Sequence, residues 1–93
     1  MANLSVEEIL NQAECICRKH HVEHLYLFGS WATGTATETS DIDIIVKGDV
    51  DILALQDEID AIPTLRKIDI FEYDKCRNPY LKEDMDRYGK QIY

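Results

Sequence analysis

Twice in this chain an apolar run short enough to be one strand is interrupted by aspartate. The runs are Asp41-Ile42-Asp43-Ile44-Ile45-Val46 and Lys67-Ile68-Asp69-Ile70-Phe71-Glu72-Tyr73. Along a strand, residues two apart point the same way, at a separation of about 6.6 Å. Asp41 and Asp43 therefore share one face, and Ile42 and Ile44 share the other. Asp69, flanked by Ile68 and Ile70, repeats the pattern. A carboxylate on an inner strand is expensive unless something pairs with it. The fold must therefore bury the isoleucine face and give the aspartate face a partner.

The rest of the chain supplies the elements for such a sheet. Ser5 with Glu8 forms a capping box, and Val6, Ile9, Leu10, Ala13, Ile16 and Cys17 follow at helical spacing as far as the basic Arg18-Lys19-His20-His21. His24–Phe28 reads as a strand closed by Gly29. Residues 30–40 are small, polar and threonine-rich, and read as a loop with at most one helical turn. Asp41–Val46 is the second strand. Asp49 or Asp51 caps a helix with Ile52, Leu55 and Ile59 on one face, which Pro63 breaks. Lys67–Tyr73 is the third strand. Asn78-Pro79 is an N-cap followed by proline at the first helical position, and Leu81, Met85, Tyr88 and Ile92 mark the inner stripe of a last helix. The expected fold is α/β: a small mixed sheet of about three strands with helices packed against it, in one domain over residues 1–93.

Asp-x-Asp by itself says little. It occurs at Asp41/Asp43, Asp49/Asp51 and Asp84/Asp86, and the chain holds ten aspartates. The second pair reads as a helix cap and the third as a solvated helix face. The first gains meaning if the second and third strands are neighbours, because Asp41, Asp43 and Asp69 then converge. Three close carboxylates resist full ionisation. Hard divalent cations relieve that conflict, and oxygen ligands suit magnesium. The structural alternative has Asp41 merely starting the strand and Asp69 pairing with Arg66 or Lys67.

Gly29-Ser30-Trp31-Ala32-Thr33-Gly34 matches only the first part of a phosphate loop. Thr35-Ala36 stands where Lys-Ser/Thr should follow, and the next strand begins too soon for the long helix such a loop launches. Gly29 can still admit a close backbone approach, and Ser30 offers a hydroxyl at the start of a short turn. An EF-hand is excluded, since Ile45 occupies the third ligand position and no glycine follows it.

The chain of 93 residues carries a net charge of −8, which repels a nucleic-acid backbone and suits a basic protein partner or metal ions. Residues 1–10 show no leader pattern, and no run approaches the ~20 apolar residues of a membrane helix. Three cysteines without a disulfide framework fit a reducing cytoplasm. Cys15 and Cys17 point to different faces of the first helix, which is poor metal geometry. His20, His21 and His24 read as dipole-facing or solvated. Tyr80, Tyr88 and Tyr93 read as packing or interface residues.

Gly29-Ser30, ten residues, Asp41-Ile42-Asp43, and Asp69 in a later strand: together these resemble the nucleotidyltransferase superfamily that includes DNA polymerase beta. Length and element order resemble its minimal nucleotidyltransferases, often antitoxins paired with a helical HEPN-domain toxin. The resemblance implies that Gly29 and Ser30 hold the triphosphate of an ATP donor. It implies that Asp41 and Asp43 bind two Mg2+ ions, and that Asp69 binds the second and acts on the acceptor hydroxyl. The implied activity is transfer of AMP to a hydroxyl, with a tyrosine of a HEPN-type toxin as the favoured acceptor. Relatives commonly carry an arginine between the Gly-Ser pair and the second glycine. Here the interval is Trp31-Ala32-Thr33, and Lys47, Arg66 and Lys67 are the cations that could replace it. The second reading is a contact antitoxin with a weak or inactive site, and the third a small-molecule transferase, for which the chain is short. The sequence leaves homo-oligomerisation open.

Overall fold

The computed structural model describes residues 4–37 and 39–93. Met1–Asn3, part of the stretch read against a leader, and Glu38, inside the polar loop, lie outside the described residues. The elements in order are α1 (Val6–Lys19), β1 (His24–Phe28), α2 (Ser30–Thr33), β2 (Ile42–Lys47), α3 (Ile52–Asp60), β3 (Ile68–Glu72), α4 (Pro79–Tyr88) and β4 (Lys90–Gln91). The strands form one mixed sheet in the order β3-β2-β1-β4. β1 runs antiparallel to both β2 and β4, while β2 and β3 are parallel and joined through α3. The architecture is the α/β fold expected, with four strands rather than about three. The extra strand is two residues long and pairs only with Tyr26 and Leu27.

Local chemistry explains most boundaries. Ser5 Oγ accepts from the Glu8 amide at 3.1 Å and opens α1. Asp51, not Asp49, caps α3 by accepting from the Ala54 amide at 3.2 Å. Asn78 Oδ1 accepts from the Tyr80 and Leu81 amides, with Pro79 first in the helix. The polar stretch after β1 does hold one helical turn, α2, closed by Gly34 in the left-handed conformation at φ 78°. Glycine tolerates that φ without steric penalty.

The two faces of the sheet differ. Leu25 and Leu27 of β1, Ile42, Ile44 and Val46 of β2, and Ile68 of β3 form one buried layer, against Ile9, Ala13 and Cys17 of α1 and Leu55 and Ile59 of α3. Burial pushes the Cys17 thiol up to about 12, so it stays protonated. Cys15 is exposed, as its position two residues away on the helix requires. Where α1 ends, Lys19 and His20 both reach Glu58 of α3, at 3.3 Å and 2.9 Å.

On the opposite face stand Tyr26, Phe28, Asp43, Ile45, Lys47, Asp69 and Phe71. Here α4 covers only one end. Met85 and Ile45 are both buried, and a side chain at Gly89 would touch Ile45. Of the stripe expected on α4, Met85 alone is buried. Leu81 is half-buried, Tyr88 faces solvent, and Ile92 lies beyond the helix. Asp86, read as purely solvated, accepts a 2.7 Å hydrogen bond from the Tyr73 hydroxyl.

Ile44 is fully buried at the middle of β2, between β1 and β3. Ile44→Ala is expected to lower unfolding stability by about 2–5 kcal/mol in urea titrations.

Candidate active site

The open end of that second face holds the residues singled out by sequence. Asp43 lies on β2 directly beside Asp69 on β3 in the parallel register, and both are half-buried. Neighbouring strands run about 4.8 Å apart, so the two carboxyls meet. Asp41 precedes β2 by one residue and is exposed. Burial first, then the charges of Asp69 and Asp41, raise the pKa of Asp43 above the usual carboxylate value. A hydrogen bond shared with Asp69 adds to this, and Lys67 opposes it. The structure thus brings Asp41, Asp43 and Asp69 into one electrostatic cluster.

Gly29 touches this cluster. It turns the chain out of β1 at φ 68°, and a Cβ built there would collide with Oδ2 of Asp43 and stand 3.3 Å from its Cγ. No larger residue fits without pushing the carboxylate aside. The Gly29 carbonyl then accepts from the Ala32 and Thr33 amides, which forms α2 and sets Ser30 at its start. Gly29 therefore adjoins Asp43, and Ser30 follows it as the first residue of α2.

Among the described residues, no group of three or more His, Cys, Asp or Glu side chains stands in ready metal-binding geometry. The donor chemistry nonetheless fits a hard divalent cation. All three groups offer carboxylate oxygens, and the charges of Asp69 and Asp41, which add to burial in raising the pKa of Asp43, are a repulsion that such a cation would relieve. The positive charge now present is Lys67, whose Nζ lies 3.6 Å from Oδ1 of Asp69. The pairing of Asp69 with Lys67, weighed as the structural alternative, is thus present alongside the clustering.

The three candidate substitutes for the absent arginine separate cleanly. Lys47 lies at the other end of β2, 5.2 Å from the Tyr73 ring. Lys67 is engaged with Asp69. Arg66 lies over the Trp31 ring, with Cζ 5.3 Å from its centre, and its Nη1 donates to the Ser40 carbonyl at 3.3 Å. Arg66 and Lys67 also line a cleft of about 350 Å3 beside Asp41, together with Thr39, Thr64 and Leu65.

Sequence reasoning missed two features. Phe28 and Phe71 meet edge-to-face at 6.0 Å, Phe28 being the register partner of Asp43 and Phe71 lying two residues beyond Asp69. They form a half-buried aromatic shelf next to the carboxylates. Strand alternation places each on this face, but their meeting depends on strand order. The second missed feature is the joining of Trp31 to Arg66, which no local pattern announces. The histidines stand apart: His20 binds Glu58, and His24 is exposed on the far end of β1.

Asp43 titrates above its unfolded value, so between the two pKa values the native state binds more protons. Stability of the metal-free protein therefore falls as pH rises through that window. Asp43→Asn is expected to raise the melting temperature of the metal-free protein at neutral pH. The gain should shrink as pH falls through that window and vanish only below the unfolded carboxylate value, as read by thermal melts across acidic pH.

Comparison with known proteins agrees with this arrangement. The family described as polymerase beta, nucleotidyltransferase, matches residues 8–93. Two proteins of Methanocaldococcus jannaschii named "putative protein adenylyltransferase" are similar in sequence. One is 35% identical over 89 residues, covering 87% of this chain and 88% of its own. The other is 32% identical over 85 residues, covering 86% and 89%. Among solved structures, a chain from a toxin-antitoxin crystallised with AMP-PNP superposes with a TM-score of 0.71 at 26% identity, over 89% of this chain and 71% of that one. A chain from a mutant of the MntA-HpeT toxin-antitoxin gives 0.66 at 26% identity, over 98% and 73%. With that match running from α1 to the last residue, the chain belongs to the polymerase beta nucleotidyltransferase family.

Proposed function

We propose that this protein is a metal-dependent nucleotidyltransferase that moves AMP from ATP to a hydroxyl on a partner protein, and that it acts as an antitoxin. The observation that carries this reading is the meeting of Asp43 and Asp69 on the open face of the sheet, with Gly29 packed against Asp43. Two carboxylates that repel each other are hard to explain as architecture alone. The toxin-antitoxin context of the similar structures supports a toxin as the partner, and the names of the relatives support a protein acceptor. The favoured acceptor is a tyrosine of a HEPN-type toxin. A net charge of −8 disfavours a long polynucleotide in that role.

In this reading Gly29 and Ser30 hold the donor triphosphate. Asp41, Asp43 and Asp69 would hold two Mg2+ ions. When bound, the ions stabilise the attacking and leaving oxygens of an in-line displacement. Asp69 orients the acceptor hydroxyl and takes its proton. The acceptor oxygen bonds to the α-phosphorus, the bond from that phosphorus to the bridging oxygen breaks, and pyrophosphate leaves. The half-exposed Phe28–Phe71 shelf beside the carboxylates offers an apolar floor for an aromatic acceptor.

The second reading is an antitoxin that inhibits by contact through an inactive site. The observation favouring it is the interval Trp31-Ala32-Thr33, which lacks a phosphate-binding arginine. The test uses ATP labelled at the α-phosphate, Mg2+ and the protein encoded beside this one. Label is expected on the partner with the wild type, and at least ~10²-fold less with Asp43→Asn. Inhibition of the partner without label would establish the contact reading instead.

A further inference from the structure

Asp41 stands outside the strand pairing that holds Asp43 and Asp69, yet its backbone is fixed on both sides. On one side, the Ser40 carbonyl receives two side-chain donors: Trp31 Nε1 at 3.4 Å and Arg66 Nη1 at 3.3 Å. On the other, the Ile42 amide donates to the Lys67 carbonyl at 2.9 Å. The donors come from separate elements, Trp31 from α2 and Arg66 from the segment before β3, and they also touch each other. The segment carrying Arg66 is itself held, because the Arg66 amide donates to Thr64 Oγ1 at 3.1 Å. Ser40 is tied into its own turn, with its hydroxyl accepting from the Thr37 amide at 2.8 Å. A carbonyl can accept two donors, and a guanidinium can hydrogen-bond through one edge while its flat face lies on an indole. Trp31 is half-buried and packs on the main core, so it anchors the arrangement to rigid structure.

We infer that Trp31 and Arg66 form a clamp on the Ser40 carbonyl that positions the Asp41 carboxylate for divalent-cation binding. This deepens the functional reading above and rests on it. Arg66 is a positioning residue here, acting through Ser40, rather than a group that touches the nucleotide. The clamp links the Gly-Ser turn, the first carboxylate and the start of β3. A movement in any of the three is thereby felt by the other two.

The sign of one effect separates positioning from simple electrostatics. Arg66 is a cation beside a carboxylate cluster. If its influence were only its charge, its removal would strengthen cation binding. If it holds Asp41 in place, its removal weakens cation binding, as losing a group that orients a ligand does, typically by about 10–100-fold.

The experiment measures Mn2+ binding to the full chain without nucleotide, by electron paramagnetic resonance of free Mn2+, with a thermal melt for each variant. The wild type is expected to bind above the level of Asp43→Asn. Arg66→Ala is expected to bind at least ~10-fold more weakly while still folded, and Arg66→Lys to recover part of the loss. Should Arg66→Ala fail to fold, Trp31→Phe keeps the aromatic face and deletes only the indole donor. A loss of about fivefold is expected there. Unchanged or tighter Mn2+ binding in Arg66→Ala, or in Trp31→Phe when it replaces it, overturns the clamp. Unchanged Mn2+ binding with weaker ATP binding overturns it in favour of direct phosphate contact. A wild type that binds no more Mn2+ than Asp43→Asn overturns the metal-dependent reading itself, which is a different failure.

Discussion

Two carboxylates at the same level of adjacent parallel strands repel each other, and most of this structure follows from how that repulsion is accommodated. Burial and the charges of Asp69 and Asp41 make Asp43 hold its proton more tightly than usual, and Lys67 lends a positive charge. The cost is tolerated because the backbones carrying the two groups are locked by the isoleucines between them. Ile42, Ile44 and Ile68 are buried under α1 and α3. The core on one face of the sheet holds the charges together on the other.

The asymmetry of the second face gives the site its place. α4 closes over Ile45 with its buried Met85 and then ends at Gly89, where a side chain would strike the Met85 carbonyl. Had the helix covered the whole face, the carboxylates would be sealed from any substrate. Had it covered none, Ile45 would be exposed at the centre of the sheet. Gly29 makes the same compromise at closer range, since the turn that carries Ser30 reaches Asp43 only because it has no side chain. The half-covered sheet leaves Asp43 and Asp69 partly exposed beside the Gly29 turn.

Much of this was legible in the chain. The strand His24–Phe28, the cap at Asn78 followed by Pro79, and the capping of α1 by Ser5 all appear where sequence reasoning expects them. Each depends on neighbours a few residues away. What escaped depends on distant partners. β4 has two residues and exists because Tyr26 and Leu27 offer an edge to pair with. Tyr88 fits a helical stripe yet faces solvent, since helical spacing does not say how much of α4 the rest of the chain covers. Of the candidate site, Gly29, Ser30, Asp41, Asp43 and Asp69 were visible from motif and spacing. The parts played by Phe71, Trp31 and Arg66 were not, since each acquires meaning only from the element it meets.

The sequence by itself determined that Asp41 and Asp43 share a face and that the isoleucines take the other. Alternation of side chains along a strand is a consequence of covalent geometry, so it needs no knowledge of the remaining chain. Only the tertiary structure decided that β3 lies beside β2, in the register that sets Asp69 against Asp43. It also decided that Arg66 crosses to Trp31 and that α4 stops short of the carboxylates. Strand order and register arise from hydrogen bonds and packing between segments far apart in sequence. Shifting the pairing by one residue would leave every local pattern intact and still separate the two carboxylates.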